Sequence, residues 1–204
     1  MDEEDPLIQF AEIASEEEEW FFMAEDLRLA AEALEPQIKE YWMIEKERES
    51  LRDEEGSLRV FMYNPDPTGI YFMLTAYAIE NLCKGLLVRK SKDQVWDLAA
   101  KKGSVPKELL SHDLLTLLNN VNFPLRPEDE ELAFRLKRSA VWSARYPVPT
   151  KASHPTVKLK LPSGEEVVPR WHQESDLQSV KELFSRVDSF VSEQLKIRPD
   201  GHLL

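Results

Sequence analysis

The sequence predicts an all-α protein, an up-and-down helical bundle of about five to six helices with one small β-hairpin insertion. Apolar residues recur at three- and four-residue steps over several long stretches, as on one face of an α-helix. Proline and glycine separate these stretches and mark their ends. Hydrophobic residues make up 42% of the 204 residues and charged residues 31%, which fits one domain with a packed core and solvated helix faces.

Composition argues against a secreted, disulfide-bonded or membrane protein. Cys83 is the single cysteine, so one copy of the chain cannot build a disulfide or a thiolate metal cage. Residues 1–5 are acidic where a signal peptide needs a basic flank and an apolar run. The most apolar stretch, 70–88, contains Glu80, Asn81 and Lys84, which would be costly in hydrocarbon. We therefore expect a cytoplasmic protein without membrane contact.

The first 56 residues predict an acidic helical arm packed on the bundle. Ser15 followed by Glu18 is a capping-box pattern that predicts a helix start. Pro36 removes an intrahelical donor and is expected to kink or restart the helix. The apolar stripe of this arm is formed by Trp20, Ala24, Leu27, Ala31 and Leu34.

Residues 57–149 predict the core of the bundle. Asp66 or Thr68 is expected to cap a helix over 69–89, with Pro67 in its first turn. This helix is apolar nearly all round and is therefore expected at the centre. Further helices are predicted over 92–101, over 107–121, and from Pro127 to near Tyr146, where two prolines follow.

The remaining chain predicts a hairpin insertion at 150–172 and a C-terminal helix at 173–204 that completes the bundle. Apolar and basic residues alternate over 156–161, a Pro-Ser-Gly turn follows, and a second short apolar run comes after it. Ser175 and Gln178 have the spacing of a capping box at the start of the last helix.

Charge is distributed unevenly along the chain. The net charge is −12, yet residues 1–55 alone carry −15, so the remainder is slightly positive. Residues 132–164 contain no acidic residue. Such asymmetry favours either a surface for RNA or an acidic partner, or the packing of acidic helices against basic ones. The candidate nucleic-acid or partner contacts are Arg135, Lys137, Arg138, Lys151, Lys158 and Lys160.

Few residues point to chemistry. The six glycines are not clustered, so no phosphate-binding glycine loop exists, and the four histidines lack metal-binding spacing. We predict no metal and no cofactor. Glu80 and Lys84 lie four residues apart on the central helix and can pair on one face. Because buried charges need partners, we predict a polar pocket on these two residues. Its members are Glu80, Lys84, His112, Asp113, Arg145 and Tyr146.

Three segments resemble the HEPN family of helical bundles found in prokaryotic toxin–antitoxin and defence systems. They are Ala-Ile-Glu-Asn-Leu-Cys-Lys-Gly-Leu-Leu-Val at 78–88, Ser-His-Asp-Leu at 111–114 and Trp-Ser-Ala-Arg-Tyr-Pro at 142–147. The resemblance covers about 69–149. It implies a bundle that commonly dimerises and often works beside a nucleotidyltransferase or another partner. It also implies kinship with metal-independent ribonucleases.

The chain departs from the active ribonucleases of that family at one point. Those enzymes resemble one another in an arginine followed four to six residues later by a histidine. Here Arg145 and His154 are separated by eight residues that include two prolines, and Arg198 and His202 by three residues in the tail. This departure favours a non-catalytic protein.

Three functional hypotheses remain open at this stage. The leading one is a HEPN-like, non-catalytic binding protein that acts as a homodimer on RNA or on an acidic protein partner. The second is a metal-independent ribonuclease with a non-standard site, in which Arg145 stabilises phosphate charge and His112 is the general acid or base. The third is a purely structural or interaction protein, in which Glu80, Lys84 and Arg145 form a buried ion network.

Overall fold

The computed structural model describes residues 5–50, 64–143, 159–160, 166–167 and 173–196. For 142–143 and for the two short strands the description covers the backbone only. Arg145, Tyr146, Lys151 and Lys158 lie outside the described residues, as does most of the predicted hairpin insertion.

Helices dominate the described chain, which confirms the all-α class. One 3-10 turn, Lys107–Leu110, and one π-helical segment, Ser139–Ser143, interrupt the α-helices. Two short strands, β1 (Leu159–Lys160) and β2 (Glu166–Val167), pair antiparallel with Leu159 opposite Val167. The α-helices are α1 (Pro6–Ser15), α2 (Glu17–Glu32), α3 (Glu35–Ser50), α4 (Thr68–Lys90), α5 (Lys92–Lys102), α6 (Leu114–Asn120), α7 (Pro127–Arg138) and α8 (Asp176–Leu195).

Helix α4 is the centre of the main core. Helices α2, α6, α7 and α8 and the π-helical segment all pack on it. This arrangement follows from its sequence, because a helix that is apolar all round must be covered on every side. The largest fully buried side chains of α4 are Tyr71, Phe72, Ile79 and Leu86. A second, smaller core joins α1 to α5, and its buried members include Ala11, Ala14, Val95 and Ala99.

Glycine at position 85 allows α2 to approach α4 closely. A Cβ atom built there would lie 2.4 Å from Cε1 of Phe21, well inside van der Waals contact. The residue is a helix-interior glycine, which is normally unfavourable. The close approach of the Phe21 ring therefore explains why glycine stands at this position.

Two predicted capping boxes are wrong. Ser15 is the last residue of α1, and its hydroxyl donates to the Ala11 carbonyl oxygen at 2.7 Å instead of capping α2. Helix α2 begins at Glu17, with three glutamates in its first turn where the helix dipole favours negative charge. Ser175 makes no side-chain cap at α8. There Asp176 Oδ2 accepts from the backbone N–H of Gln173 at 2.7 Å.

Other predicted helix boundaries are confirmed. Pro36 lies in the first turn of α3, so the chain restarts a helix there. Asp66 Oδ1 accepts from the backbone N–H of Thr68 at 2.9 Å at the start of α4. Gly103 ends α5 in the left-handed conformation, with φ of 58°, which glycine adopts without steric cost.

The helix predicted over 107–121 is divided in two. After the 3-10 turn, Ser111 adopts an extended backbone, and Asp113 then caps α6 by accepting from the backbone N–H of Thr116 at 3.3 Å. Serine and aspartate compete with helix continuation because their side chains bond to nearby backbone groups. This break places His112 in a short non-helical connection. The helix predicted to reach Tyr146 also changes form, because α7 ends at Arg138 and the π-helical segment follows.

None of the helices in the described ranges is both long enough and apolar enough to cross a membrane.

Gly85→Ala is expected to destabilise the protein, although alanine is the better helix former by about 1 kcal/mol. Overpacking against the Phe21 ring should cost about 1–3 kcal/mol, leaving a net loss of about 1 kcal/mol in the free energy of unfolding measured with urea. In a Phe21→Ala background the same substitution should stabilise the protein. A loss of equal size in both backgrounds would contradict the proposed contact.

Candidate functional site

Glu80 and Lys84 form an ion pair buried in the middle of α4. Lys84 Nζ donates to Glu80 Oε1 at 2.6 Å, one helical turn away. Their side chains are only 8% and 6% exposed. Burying two charges requires close mutual contact and further polar partners, because both lose their hydration. The predicted pairing of these residues therefore occurs in the core of the bundle.

His112 is the second partner of Glu80. Its Nδ1 atom lies 3.1 Å from Glu80 Oε1 and 3.2 Å from Oε2, although the ring itself is 60% exposed. An ionised carboxylate can only accept hydrogen bonds, so Nδ1 carries the hydrogen that faces it. In the neutral ring this leaves Nε2 unprotonated and able to accept a proton. The sequence predicted this grouping of Glu80, Lys84 and His112.

Trp20 covers the ion pair from α2. The Lys84 ammonium lies 5.8 Å from the centre of its ring, within range of a cation–π interaction. Trp20 Nε1 in turn donates to the Ala14 carbonyl oxygen at 3.4 Å, which ties the ring to the end of α1. The sequence pattern placed Trp20 only in the apolar stripe of the arm. Nothing in its helical spacing distinguishes a ring that faces an ammonium from one that faces leucine.

Tyr77 brings the π-helical segment to the same place. Its hydroxyl donates to the Ala140 carbonyl oxygen at 2.8 Å, and its ring lies edge-on to the His112 ring with centres 6.5 Å apart. Tyr77 was missed by the sequence analysis. Its position three residues before Glu80, on the same helix face, is the signal that could have identified it. Arg145 comes two residues after the end of the π-helical segment, outside the described residues.

Asp113 pairs with Lys137 of α7. It also caps α6. Burial would raise the pKa of Asp113, but the hydrogen bonds from Lys137 and from the backbone of Thr116 outweigh it and lower that pKa below its usual value. Asp113 therefore fixes the connection that carries His112, and does not itself contact the buried ion pair.

Two of the predicted nucleic-acid or partner contacts are paired within the chain. Arg135 Nη1 donates to Asp176 Oδ2 at 2.6 Å, and both side chains are largely buried. Lys137 pairs with Asp113. Burial lowers the pKa of Arg138. Lys160 lies in β1, and Lys151 and Lys158 are outside the described residues. Arg135 and Lys137 are thus less available to phosphate than the sequence suggested.

Acidic residues of the arm pair with cations of other helices. Glu17 contacts Arg89 of α4 at 3.3 Å, Glu16 contacts Lys92 at the start of α5 at 3.1 Å, and Lys181 of α8 contacts Glu35 at 2.6 Å. These pairs join the acidic helices to basic residues of α4, α5 and α8.

No group of three or more metal-binding side chains occurs among the residues that the structure describes. His112 is the only histidine in those ranges. Cys83 is fully buried beside the ion pair, and burial raises the pKa of its thiol to about 12. It is therefore unsuited to act as a nucleophile near neutral pH.

Lys84→Met should destabilise the protein by about 3 kcal/mol, because Glu80 would remain buried with one partner lost. The double variant Glu80→Leu/Lys84→Met should recover most of this loss, since it leaves no buried charge. Urea denaturation gives both free energies. Lys101→Met is the matched control, because Lys101 and Asp97 form a pair of the same spacing that is 69% and 65% exposed. It should change stability by less than about 0.5 kcal/mol.

Asp113→Asn should remove a pH-dependent contribution to stability while keeping an acceptor for the helix cap. The folded-state pKa of Asp113 is lowered, so the ionised carboxylate stabilises the fold at pH values above its unfolded pKa of about 4. That contribution is lost as the pH falls through the folded pKa. The stability difference between wild type and variant should therefore be constant near neutral pH and shrink below about pH 4. A difference independent of pH down to pH 2 would contradict the assignment.

The comparisons with known proteins give no relative: no family model, no curated protein and no solved structure matches this chain.

Proposed function

We propose that this chain is a HEPN-like, metal-independent ribonuclease with a non-standard site, in which His112 moves the proton and Glu80 positions His112. One observation carries the proposal. His112 Nδ1 faces the buried Glu80 carboxylate at 3.1 Å, while the ring is 60% exposed. A carboxylate behind an imidazole fixes the ring's tautomer and orientation, which is the arrangement a general base needs.

The reaction follows from the chemistry of RNA. Unprotonated Nε2 of His112 would take the proton from a ribose 2′-hydroxyl as that oxygen attacks the adjacent phosphorus. The bond from phosphorus to the 5′-oxygen then breaks, and the 5′-oxygen takes a proton from the His112 imidazolium or from solvent. The products are a 2′,3′-cyclic phosphate and a 5′-hydroxyl, so no water is consumed and the step needs no metal ion.

Arg145 has the role of stabilising negative charge on the phosphate in this proposal. The support is indirect: the Tyr77 hydroxyl donates to the Ala140 carbonyl oxygen and its ring lies edge-on to His112, and Arg145 follows Ala140 by five residues in the sequence. A guanidinium suits this role because it presents several donors to phosphate oxygens in a fixed plane.

A non-catalytic binding protein that acts as a homodimer on RNA or on a protein partner is the second candidate. A nucleotidyltransferase is one partner that the HEPN resemblance suggests. A separate observation favours binding, namely the exposed large apolar side chains of α2. Phe22, Met23 and Leu29 are 63%, 51% and 50% exposed there. Phe22 and Leu29, seven residues apart, share one helix face, and grouped exposed apolar residues are typical of interaction surfaces.

Cleavage of a single-stranded RNA by the purified protein in EDTA is the test. His112→Ala and Arg145→Ala should each lower the rate by about 100-fold or more, because each removes a group that acts in the transition state. Glu80→Gln, which keeps an acceptor for Nδ1, should have a smaller effect. The products should carry 2′,3′-cyclic phosphates, and a substrate with 2′-deoxyribose at the cleaved position should be inert.

Arg198→Ala/His202→Ala is the matched control, because this pair has an Arg-to-His spacing but belongs to the tail. It should retain wild-type activity. RNA binding without cleavage by wild type would contradict the ribonuclease proposal and favour the binding protein. Loss of activity only in the tail variant would contradict the assignment of His112.

A further inference from the structure

A cavity of about 460 Å³ lies where α2, α4 and α8 meet. Helices α2 and α8 form its walls, and α4 supplies Tyr71 and Thr75. The volume is in the range of small-molecule sites. None of the residues of the His112 site lines it, so it is a separate feature of the molecule.

The cations that line this cavity are already neutralised. Arg28 donates to both Glu25 and Glu32, which flank it on α2. Lys181 pairs with Glu35 at 2.6 Å. Neither cation is therefore available as the main partner of an anionic ligand.

Asp188 is the charged lining residue that remains. It makes no hydrogen bond or ion pair with any residue that the structure describes, and it lies one helical turn from Phe184 on α8. Phe184 gives the same cavity aromatic surface, whereas Tyr71, only 2% exposed, belongs to the core beneath it. A carboxylate beside an aromatic ring is a combination that binds organic cations, through charge on one side and cation–π contact on the other.

The side chains that line the cavity carry a net negative charge. Glu25, Glu32 and Asp188 are acidic, whereas Arg28 and Lys181 are basic. A ligand with a positive charge gains from this balance, and an anion is repelled.

We propose that this cavity binds a small organic ammonium compound, with its charged end at Asp188 and its apolar body against Phe184. The site is independent of the proposed ribonuclease activity. Its ligands are primary amines that carry an apolar group about the size of a phenyl ring. The His112 site does not imply this class of ligand.

Phenethylamine is a suitable probe, and 2-phenylethanol is its uncharged counterpart. Titration of the ¹⁵N-labelled protein should give saturable amide shifts at Thr75, Ser185 and Asp188 with the amine. The alcohol should bind at least about fivefold more weakly, because it lacks the charge that Asp188 attracts. Absence of saturable shifts with the amine, or equal affinity for the alcohol, would overturn the proposal.

Two variants locate the site. Asp188→Asn should weaken phenethylamine binding about fivefold, whereas Asp97→Asn, a matched change at an exposed aspartate on α5, should leave it unchanged. Ser185→Trp should fill the cavity from an exposed position and abolish binding while the circular dichroism spectrum stays that of the wild type. Unchanged affinity in both Asp188→Asn and Ser185→Trp would place the amine elsewhere and refute the assignment.

Discussion

The structure depends on an ion pair, Glu80 with Lys84, buried inside the central helix of an apolar bundle. Two charges at this depth destabilise the fold unless they contact each other closely and find further polar partners. The ring of Trp20 covers the ammonium from α2, and His112 satisfies the carboxylate from the connection before α6. The contacts of Trp20 and His112 with the ion pair offset the cost of burying it. The same contacts help to position α2 and the 111–113 connection on α4.

This constraint joins stability to the proposed chemistry. The imidazole is held by a carboxylate that the core itself immobilises, while the ring remains exposed. Asp113 strengthens the arrangement from the other side, since it caps α6 and pairs with Lys137 of α7. A histidine fixed at one nitrogen and open at the other can exchange protons with a bound molecule without rearrangement of the bundle. The amine cavity on the α2–α8 side uses none of these groups.

The sequence predicted the helical class, the central position of α4, and the grouping of Glu80, Lys84 and His112, because burial and four-residue spacing are readable from periodicity. It did not predict Tyr77 or Trp20 in the site, since their partners come from distant parts of the chain.

Both capping boxes failed for a local reason. A serine hydroxyl can bond back to its own helix, and an acidic residue can instead bond the backbone of the turn before the helix. The sequence also did not show that Arg135 and Lys137 are paired, because their partners Asp176 and Asp113 lie outside 132–164 in sequence.

The central claim is that Glu80 fixes the tautomer of His112 and leaves Nε2 open. Two-bond ¹H–¹⁵N correlation spectra of the imidazole rings test it most directly, with the His112 signals assigned by their loss in His112→Ala. At a pH where the ring is neutral, the account predicts a protonated Nδ1 and an unprotonated Nε2, and a more even tautomer mixture in Glu80→Gln. A wild-type ring that carries its hydrogen on Nε2 would contradict the account.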